Sequence, residues 1–96
     1  MTLVELVRNL KNLDDNLTIY IEADSTWSNS SAVIITFEPD DGSLPTDAIE
    51  MEYFLEVHTA KEVLNVQQSR WEATPTLEEK CAALIHYARY DIYLQS

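Results

Sequence analysis

Apolar and polar residues alternate between positions 49 and 58, which is the period of a β-strand. One set is entirely apolar, and the other is acidic apart from a phenylalanine and a histidine. The two sets are Ile49, Met51, Tyr53, Leu55 and Val57 on one side and Glu50, Glu52, Phe54, Glu56 and His58 on the other. This pattern predicts a half-buried strand whose apolar set faces the core.

Two further strands are predicted nearer the N-terminus. Residues 17–22 alternate, with Leu17, Ile19 and Ile21 as the apolar set. Residues 32–37 are apolar on both faces and rich in β-formers. We therefore expect residues 32–37 to form the central strand of the sheet.

Three copies of the pattern Thr-x-x-Glu predict the starts of three helices, at Thr2, Thr59 and Thr76. In this capping box the threonine hydroxyl accepts from a first-turn amide, and the glutamate reaches back to the amide of the threonine. Apolar residues at helical spacing follow each copy, so we expect helices over roughly residues 3–13, from residue 59 onward, and over roughly residues 77–94. The predicted buried positions are Leu3, Leu6, Val7, Leu10 and Leu13; Ala60, Val63, Leu64 and Trp71; and Leu77, Cys81, Leu84, Ile85, Ala88 and Ile92.

The element order α-β-β-β-α-α predicts an α+β fold of two layers. The expected arrangement is a three-stranded antiparallel meander packed against three helices. A chain of 96 residues with 46% hydrophobic residues fits a single acidic domain over residues 1–96. Because all three helices would pack on one side, we expect the other side of the sheet to lack cover from the chain itself.

The net charge and the number of cysteines limit the classes of function that we expect for this protein. Seventeen Asp and Glu against six Lys and Arg give a formal charge of -11, with a pI of about 4.2. Such a chain repels phosphate backbones and anionic lipids, so we expect neither direct nucleic-acid binding nor membrane binding. Cys81 is the single cysteine, and residues 1–6 lack a basic leader with an apolar run, so we expect a cytoplasmic protein.

The sequence contains little evidence of a catalytic or metal-binding motif. The loop at Asp40, Asp41, Gly42 and Ser43 lacks the later ligands of a calcium-binding EF-hand, so we expect no metal and no cofactor. On a helix, Cys81 and His86 point in different directions, which does not fit a nucleophile and its base. We expect no enzymatic activity.

The side of the sheet without helices is the candidate partner-binding surface. If the bulkier face of residues 32–37 points outward, an apolar patch forms with an acidic rim, as in many interaction surfaces. The proposed surface consists of Tyr20, Val33, Ile35, Phe37 and Phe54, with Glu50, Glu52 and Glu56 at the rim and Trp27 nearby. The opposite choice of face leaves only Ala32, Ile34 and Thr36 outside.

Two of these assignments have alternatives. The rim carboxylates would steer a basic partner, but they would equally keep an edge strand soluble. Trp27 either folds back over the sheet edge or anchors a partner.

Residues 53–64, YFLEVHTAKEVL, and residues 17–20, LTIY, resemble small bacterial proteins that are domains of unknown function. The resemblance implies a bacterial cytosolic origin and no particular activity.

The function expected from these observations is a non-catalytic protein-interaction module. Its sharpest form is an immunity or inhibitor-type protein that binds a basic protein partner, by analogy with other small acidic α+β proteins. The alternatives are a structural or regulatory homodimer packed through the sheet face, and a small-ligand-binding protein or minor enzyme.

Overall fold

The computed structural model describes residues 1–23, 26–37, 50–68 and 75–90. Three helices and a three-stranded antiparallel sheet follow one another in the order α-β-β-β-α-α, so the predicted α+β class is confirmed. The elements are α1 at Leu3–Asn9, continued by a 3₁₀ helix at Leu10–Asn12, then β1 at Thr18–Glu22, β2 at Val33–Thr36, β3 at Met51–Glu56, α2 at Val57–Gln68 and α3 at Leu77–Tyr90.

Capping boxes begin two of the helices, as predicted. At α1 the Glu5 amide donates to Thr2 Oγ1 at 3.4 Å, and the Thr2 amide donates to the Glu5 carboxylate at 3.0 Å. The bond from the Thr2 amide lowers the pKa of Glu5, so the carboxylate that caps the helix stays ionised. At α3 the same exchange joins Thr76 and Glu79, at 3.0 and 3.1 Å.

The predicted start of α2 at Thr59 is wrong. The helix begins at Val57, immediately after the last residue of β3, so Thr59 and Glu62 lie inside it. The Val57 amide donates instead to the carbonyl oxygen of Leu17, at 2.9 Å. A strand that runs directly into a helix needs no cap residue between them, because the sheet itself fixes the first amide.

The predicted strand order is also wrong, because β1 and not β2 is central. The sheet has the order β2-β1-β3, and β1 is antiparallel to both neighbours, so this is not a sequential meander. Central position explains the burial of β1 on both faces, with Thr18 through Ile21 all buried. Thr18 and Tyr20 carry polar atoms, and for this reason the sequence suggested that their face of β1 is partly exposed. Both are buried because β1 has a neighbouring strand on each side.

The side of β2 that faces the helices is the side predicted to face outward. Val33 lies opposite Ile21 and Ile35 lies opposite Ile19, and residues directly opposite on paired strands share a face. Ile19, Ile21 and Val33 belong to the core, and Ile35 packs against it. The outer face of β2 therefore carries Ile34 and Thr36, which was the alternative choice.

The core joins the inner face of the sheet to all three helices. Of the positions predicted to be buried in the helices, Leu13, Leu64, Leu77, Ile85 and Ala88 are partly buried, and Trp71 and Ile92 lie outside the described residues. The buried core residues are Leu3, Leu6, Val7, Leu10, Ile19, Ile21, Val33, Phe54, Leu55, Val57, Ala60, Val63, Cys81 and Leu84.

A β-bulge in β3 reverses the predicted alternation of faces. Ile19 lies opposite Leu55 and Tyr20 lies opposite Tyr53, so Phe54 has no direct partner on β1. Phe54 is buried in the core, whereas Tyr53 lies on the outer face and is 48% exposed. The predicted positions of these two residues are therefore exchanged, while Leu55 and Val57 are buried as expected.

The centre of the outer face is closed within the chain. Tyr20 and Thr18 are each 2% exposed, and the Tyr53 ring packs edge-to-face on the Tyr20 ring with centroids 6.3 Å apart. Half-buried Ile34 and Thr36 flank the same positions from β2. The expectation that the chain leaves this face uncovered is therefore wrong at the centre of the sheet.

Gln67 is a buried polar residue that the sequence analysis did not identify. It lies on the stripe of α2 that also buries Ala60 and Val63, and its side chain is 0% exposed. Within the described part of the chain, neither its Oε1 nor its Nε2 atom has a hydrogen-bond partner. An unpartnered buried amide opposes folding by about 1–3 kcal/mol.

The caps supply a matched test of helix initiation. We expect Thr2→Ala and Thr76→Ala each to lower the free energy of unfolding by about 0.5–2 kcal/mol, because each removes the hydroxyl that accepts a first-turn amide. Thr59→Ala, inside α2, should change it by no more than about 0.5 kcal/mol. Urea unfolding followed by circular dichroism measures all three, and a loss at Thr59 as large as that at Thr2 would contradict the observed start of α2.

Gln67 supplies a test in the opposite direction. Gln67→Leu should raise the free energy of unfolding by about 1–3 kcal/mol, because it replaces an unpartnered amide with an apolar group of similar size. Asn65→Leu, on the exposed side of the same helix, is the control and should be nearly neutral. Lower stability of Gln67→Leu in the same urea measurement would show that the amide does have a partner.

Candidate interaction site

The described residues do not form the apolar patch that was predicted on the outer face. Val33 and Phe54 are buried in the core, Ile35 packs against the core, and Tyr20 is enclosed at the centre of the outer face. Two physical reasons account for the error: β2 turns its bulkier face to the helices, and the bulge turns Phe54 inward. Among the predicted aromatic and aliphatic residues, Phe37 is the strongly exposed one, at 62%.

Trp27 folds back onto the sheet edge, which was one of its two predicted roles. Its Nε1 donates to the carbonyl oxygen of Glu22 at 3.1 Å, and its ring packs edge-to-face on Phe54 with centroids 5.3 Å apart. The Arg89 guanidinium of α3 lies 4.2 Å from the centroid of the Trp27 ring. Trp27 therefore connects the sheet edge to α3, and three contacts inside the chain hold it there.

The acidic residues of β3 do not form one row. Glu52 lies opposite Ile21, which faces the core, whereas Glu56 lies opposite Thr18, which faces outward. The bulge between them produces this change of face, although both residues belonged to the same set in the sequence. Glu50 and Glu52 lie near the start of β3, and Glu56 is its last residue.

Glu56 and Phe37 line a cleft at one end of the sheet, where β1 begins and β2 and β3 end. The cleft has a volume of about 490 Å³. The turn before β1 supplies two of its residues, and the first turn of α2 supplies another. Its described lining consists of Asp15, Asn16, Thr18, Phe37, Glu56 and His58.

Local hydrogen bonds hold the turn that supplies Asp15. The Asn16 amide donates to the Asp14 carboxylate at 2.8 Å, and the Leu17 amide donates to the Asp14 carbonyl oxygen at 3.1 Å. This is an Asx-type turn, which aspartate favours because its side chain can accept from the backbone two residues later. The turn connects the 3₁₀ helix to the central strand and presents Asp15 at the cleft.

Lys61 fastens α2 to the same turn. Its Nζ lies 2.6 Å from Asp15 Oδ1 and donates to the carbonyl oxygen of Leu13 at 2.7 Å. The hydrogen bond from Lys61 lowers the pKa of Asp15, so this carboxylate is ionised at neutral pH. Lys61 thereby fixes one wall of the cleft.

His58 lies between two carboxylates at the rim. Its Nδ1 is 4.0 Å from Asp15 Oδ2, and its Nε2 is 3.7 Å from Glu62 Oε2. All three side chains are more than half exposed, so water screens these pairs strongly. Because Glu56 and Asp15 line the same cleft, its described lining is acidic next to the exposed Phe37 ring.

A second depression of about 350 Å³ lies between the segment that precedes β2 and α3. Its lining includes Trp27, Glu78 and Cys81. Burial raises the pKa of the Cys81 thiol to about 11, and the Glu78 carboxylate contributes to the rise, so little thiolate is present at neutral pH. As expected from the sequence, Cys81 lies in the core.

In the described ranges, no group of three or more His, Cys, Asp or Glu residues is placed to hold a metal ion. The Asp40–Ser43 loop lies outside those ranges. Of the helices described, none has the length and apolar character needed to cross a membrane.

Sequence reasoning identified Glu56 and Phe37 but missed the other residues of the cleft. The available signal was the Asp14-Asp15-Asn16 run between a helix and a strand, which is typical of a tight polar turn. Because β3 is antiparallel to β1 and continues directly into α2, that turn and the first turn of α2 meet at the same end of the sheet.

Comparison with known proteins identifies one family. A family model described as "Domain of unknown function (DUF7716)" matches residues 1–96. No curated protein and no solved structure matches the chain. The family match agrees with the resemblance of residues 53–64 and 17–20 to an uncharacterised domain, and it names no activity. The chain belongs to the DUF7716 family.

Proposed function

We propose that this protein is a non-catalytic protein-interaction module that binds a basic protein partner at the acidic cleft. The observation that carries the proposal is the placement of an aromatic ring, Phe37, at 62% exposure beside the carboxylates of Asp15 and Glu56. An apolar contact next to a charged rim is the usual composition of a protein-binding surface. An immunity or inhibitor-type protein is the form of this function that best suits the size and charge of the chain.

The charge of the whole chain supports a basic partner. At -11 the protein attracts cationic surfaces over about 10 Å at 0.1 M salt, and a cleft with low-dielectric walls concentrates that attraction. Charges at the rim chiefly speed the encounter and select the partner. The exposed ring of Phe37 supplies the apolar area that the partner covers.

Three features support a binding role without chemistry. The Cys81 thiol is buried with a raised pKa, which makes it a poor nucleophile. Among the described residues, the imidazole of His58 has ion-pair contacts with the carboxylates of Asp15 and Glu62, and neither of these groups is a hydroxyl or thiol nucleophile. The cleft residue Asp15 is already engaged with Lys61, as in a structural ion pair.

The proposed location is the cytoplasm. One buried free thiol suits a reducing compartment, where a cysteine need not form a disulfide. A basic intracellular protein is accordingly the proposed partner class.

Two observations oppose the alternative of a homodimer that packs through the sheet face. The centre of that face is closed within one chain, as the 2% exposure of Tyr20 indicates. Two chains of charge -11 also repel each other.

A pair of matched variants tests the role of the cleft. The probe is a synthetic peptide of alternating lysine and valine, blocked at both ends. Phe37→Ser together with Glu56→Gln should weaken its binding about tenfold, because an apolar contact and a rim charge are lost. Isothermal titration calorimetry at low salt measures the dissociation constant.

The control combines Tyr90→Ser and Glu78→Gln on α3. Tyr90 has the same 62% exposure as Phe37, and Glu78 is an exposed glutamate outside the cleft. This variant loses the same charge and the same kind of aromatic ring, but it leaves the cleft unchanged. It should therefore bind the peptide within about twofold of the unchanged protein. Equal weakening of the two variants would mean that the attraction is spread over the whole surface, and the proposed site would be wrong.

A further inference from the structure

The described residues pair with the outer edge of β2 along only part of its length. The N-terminal residues run antiparallel beside its start, with Thr2 bridged to Ala32 and the Val33 amide donating to the carbonyl oxygen of Met1 at 2.8 Å. Beyond Val33, in the direction of Phe37, no described residue pairs with this edge. Ile34, Ile35 and Thr36 complete the strand.

The direction of the backbone groups of Ile35 follows from the ladder. The Glu22 amide donates to the carbonyl oxygen of Ala32 at 3.0 Å, so Ala32 directs its carbonyl group toward β1. In an antiparallel pair, successive residues alternate between bonding the partner strand and pointing away from it. Val33 points away, as its bond to Met1 shows, and Ile35 does the same. No other described residue forms a hydrogen bond with the backbone of Ile35.

Within the described ranges, this edge lacks the usual protection against an added strand. Edge strands are normally blocked by charged residues, proline or a bulge. The sequence from Val33 to Phe37 is VIITF, which contains no charge and no proline, and its register with β1 is continuous. The other edge strand, β3, carries Glu52, Glu56 and a bulge.

We propose that the basic partner binds by adding an extended segment to the β2 edge beside Ile35, a mode called β-augmentation. The inference rests on the proposed function and specifies how the partner is held. Phe37 belongs to the cleft lining and lies two residues beyond Ile35, so a strand paired there arrives at the cleft within about two residues. Main-chain hydrogen bonds supply affinity, and the acidic cleft selects a segment with lysine or arginine.

Charge decides between the occupants of this edge. A second copy of the chain offers the same apolar edge, but it carries a net charge of -11. It would bring that charge to an end of the sheet that already holds Asp14, Asp15, Glu56 and Glu62. A basic segment is attracted there. The occupant is therefore a cationic extended segment of another protein.

The test uses amide exchange measured by NMR on the unchanged protein, with the lysine–valine peptide as probe. The Ile35 amide should exchange quickly in the free protein and at least about tenfold more slowly with the peptide bound, since the added strand accepts its hydrogen bond. The Val33 amide is an internal reference, because Met1 already bonds it in the free protein.

A second peptide with the same sequence and charge, N-methylated at alternate residues on its pairing side, separates strand addition from simple charge attraction. It should bind about tenfold more weakly and leave Ile35 exchange unchanged. If the two peptides bind equally, or if cleft resonances shift without protection of Ile35, this inference fails while the proposed function stands.

Two further results would overturn the inference in other ways. Failure of both peptides to bind at low salt would contradict the proposed function as well. Protection of Ile35 on concentrating the protein alone would assign the edge to a second copy of the chain.

Discussion

The structure depends on the antiparallel pairing of one strand with two others. β1 has a ladder on each side, core residues Ile19 and Ile21 on one face, and enclosed Thr18 and Tyr20 on the other. Because this strand is buried in every direction, both edges of the sheet fall to β2 and β3. The positions of the cleft, the closed outer face and the partly unpaired edge all follow from that arrangement.

Local signals in the sequence predicted the elements well. Capping boxes at Thr2 and Thr76 mark where α1 and α3 begin, because the groups that satisfy a helix start lie within four residues of it. Apolar periodicity located the three strands and most of the buried positions of the helices. At Thr59 the same signal misled, since the bond from Val57 to Leu17 had already started the helix.

Long-range pairing could not be predicted in the same way. The choice of central strand depends on which strands meet, and β2 looked more suitable because both its faces are apolar. A single extra residue at Phe54 exchanges the faces of everything before it in β3, which is why Phe54 and Tyr53 were assigned to the wrong sides. Of the predicted site, Phe37 and Glu56 meet at the cleft, while Val33, Ile35 and Phe54 serve the core.

In this arrangement β1 is the interior strand, and no described residue bonds to the backbone of Ile35 on the outer edge of β2. Native-state amide exchange of the free protein measures this residue by residue. We expect slow exchange at Ile19, Tyr20 and Ile21, because these amides bond to β2 or β3, and fast exchange at Ile35. Fast exchange at Ile19 and Ile21 together with slow exchange at Ile35 would place β2 at the centre of the sheet and contradict the account.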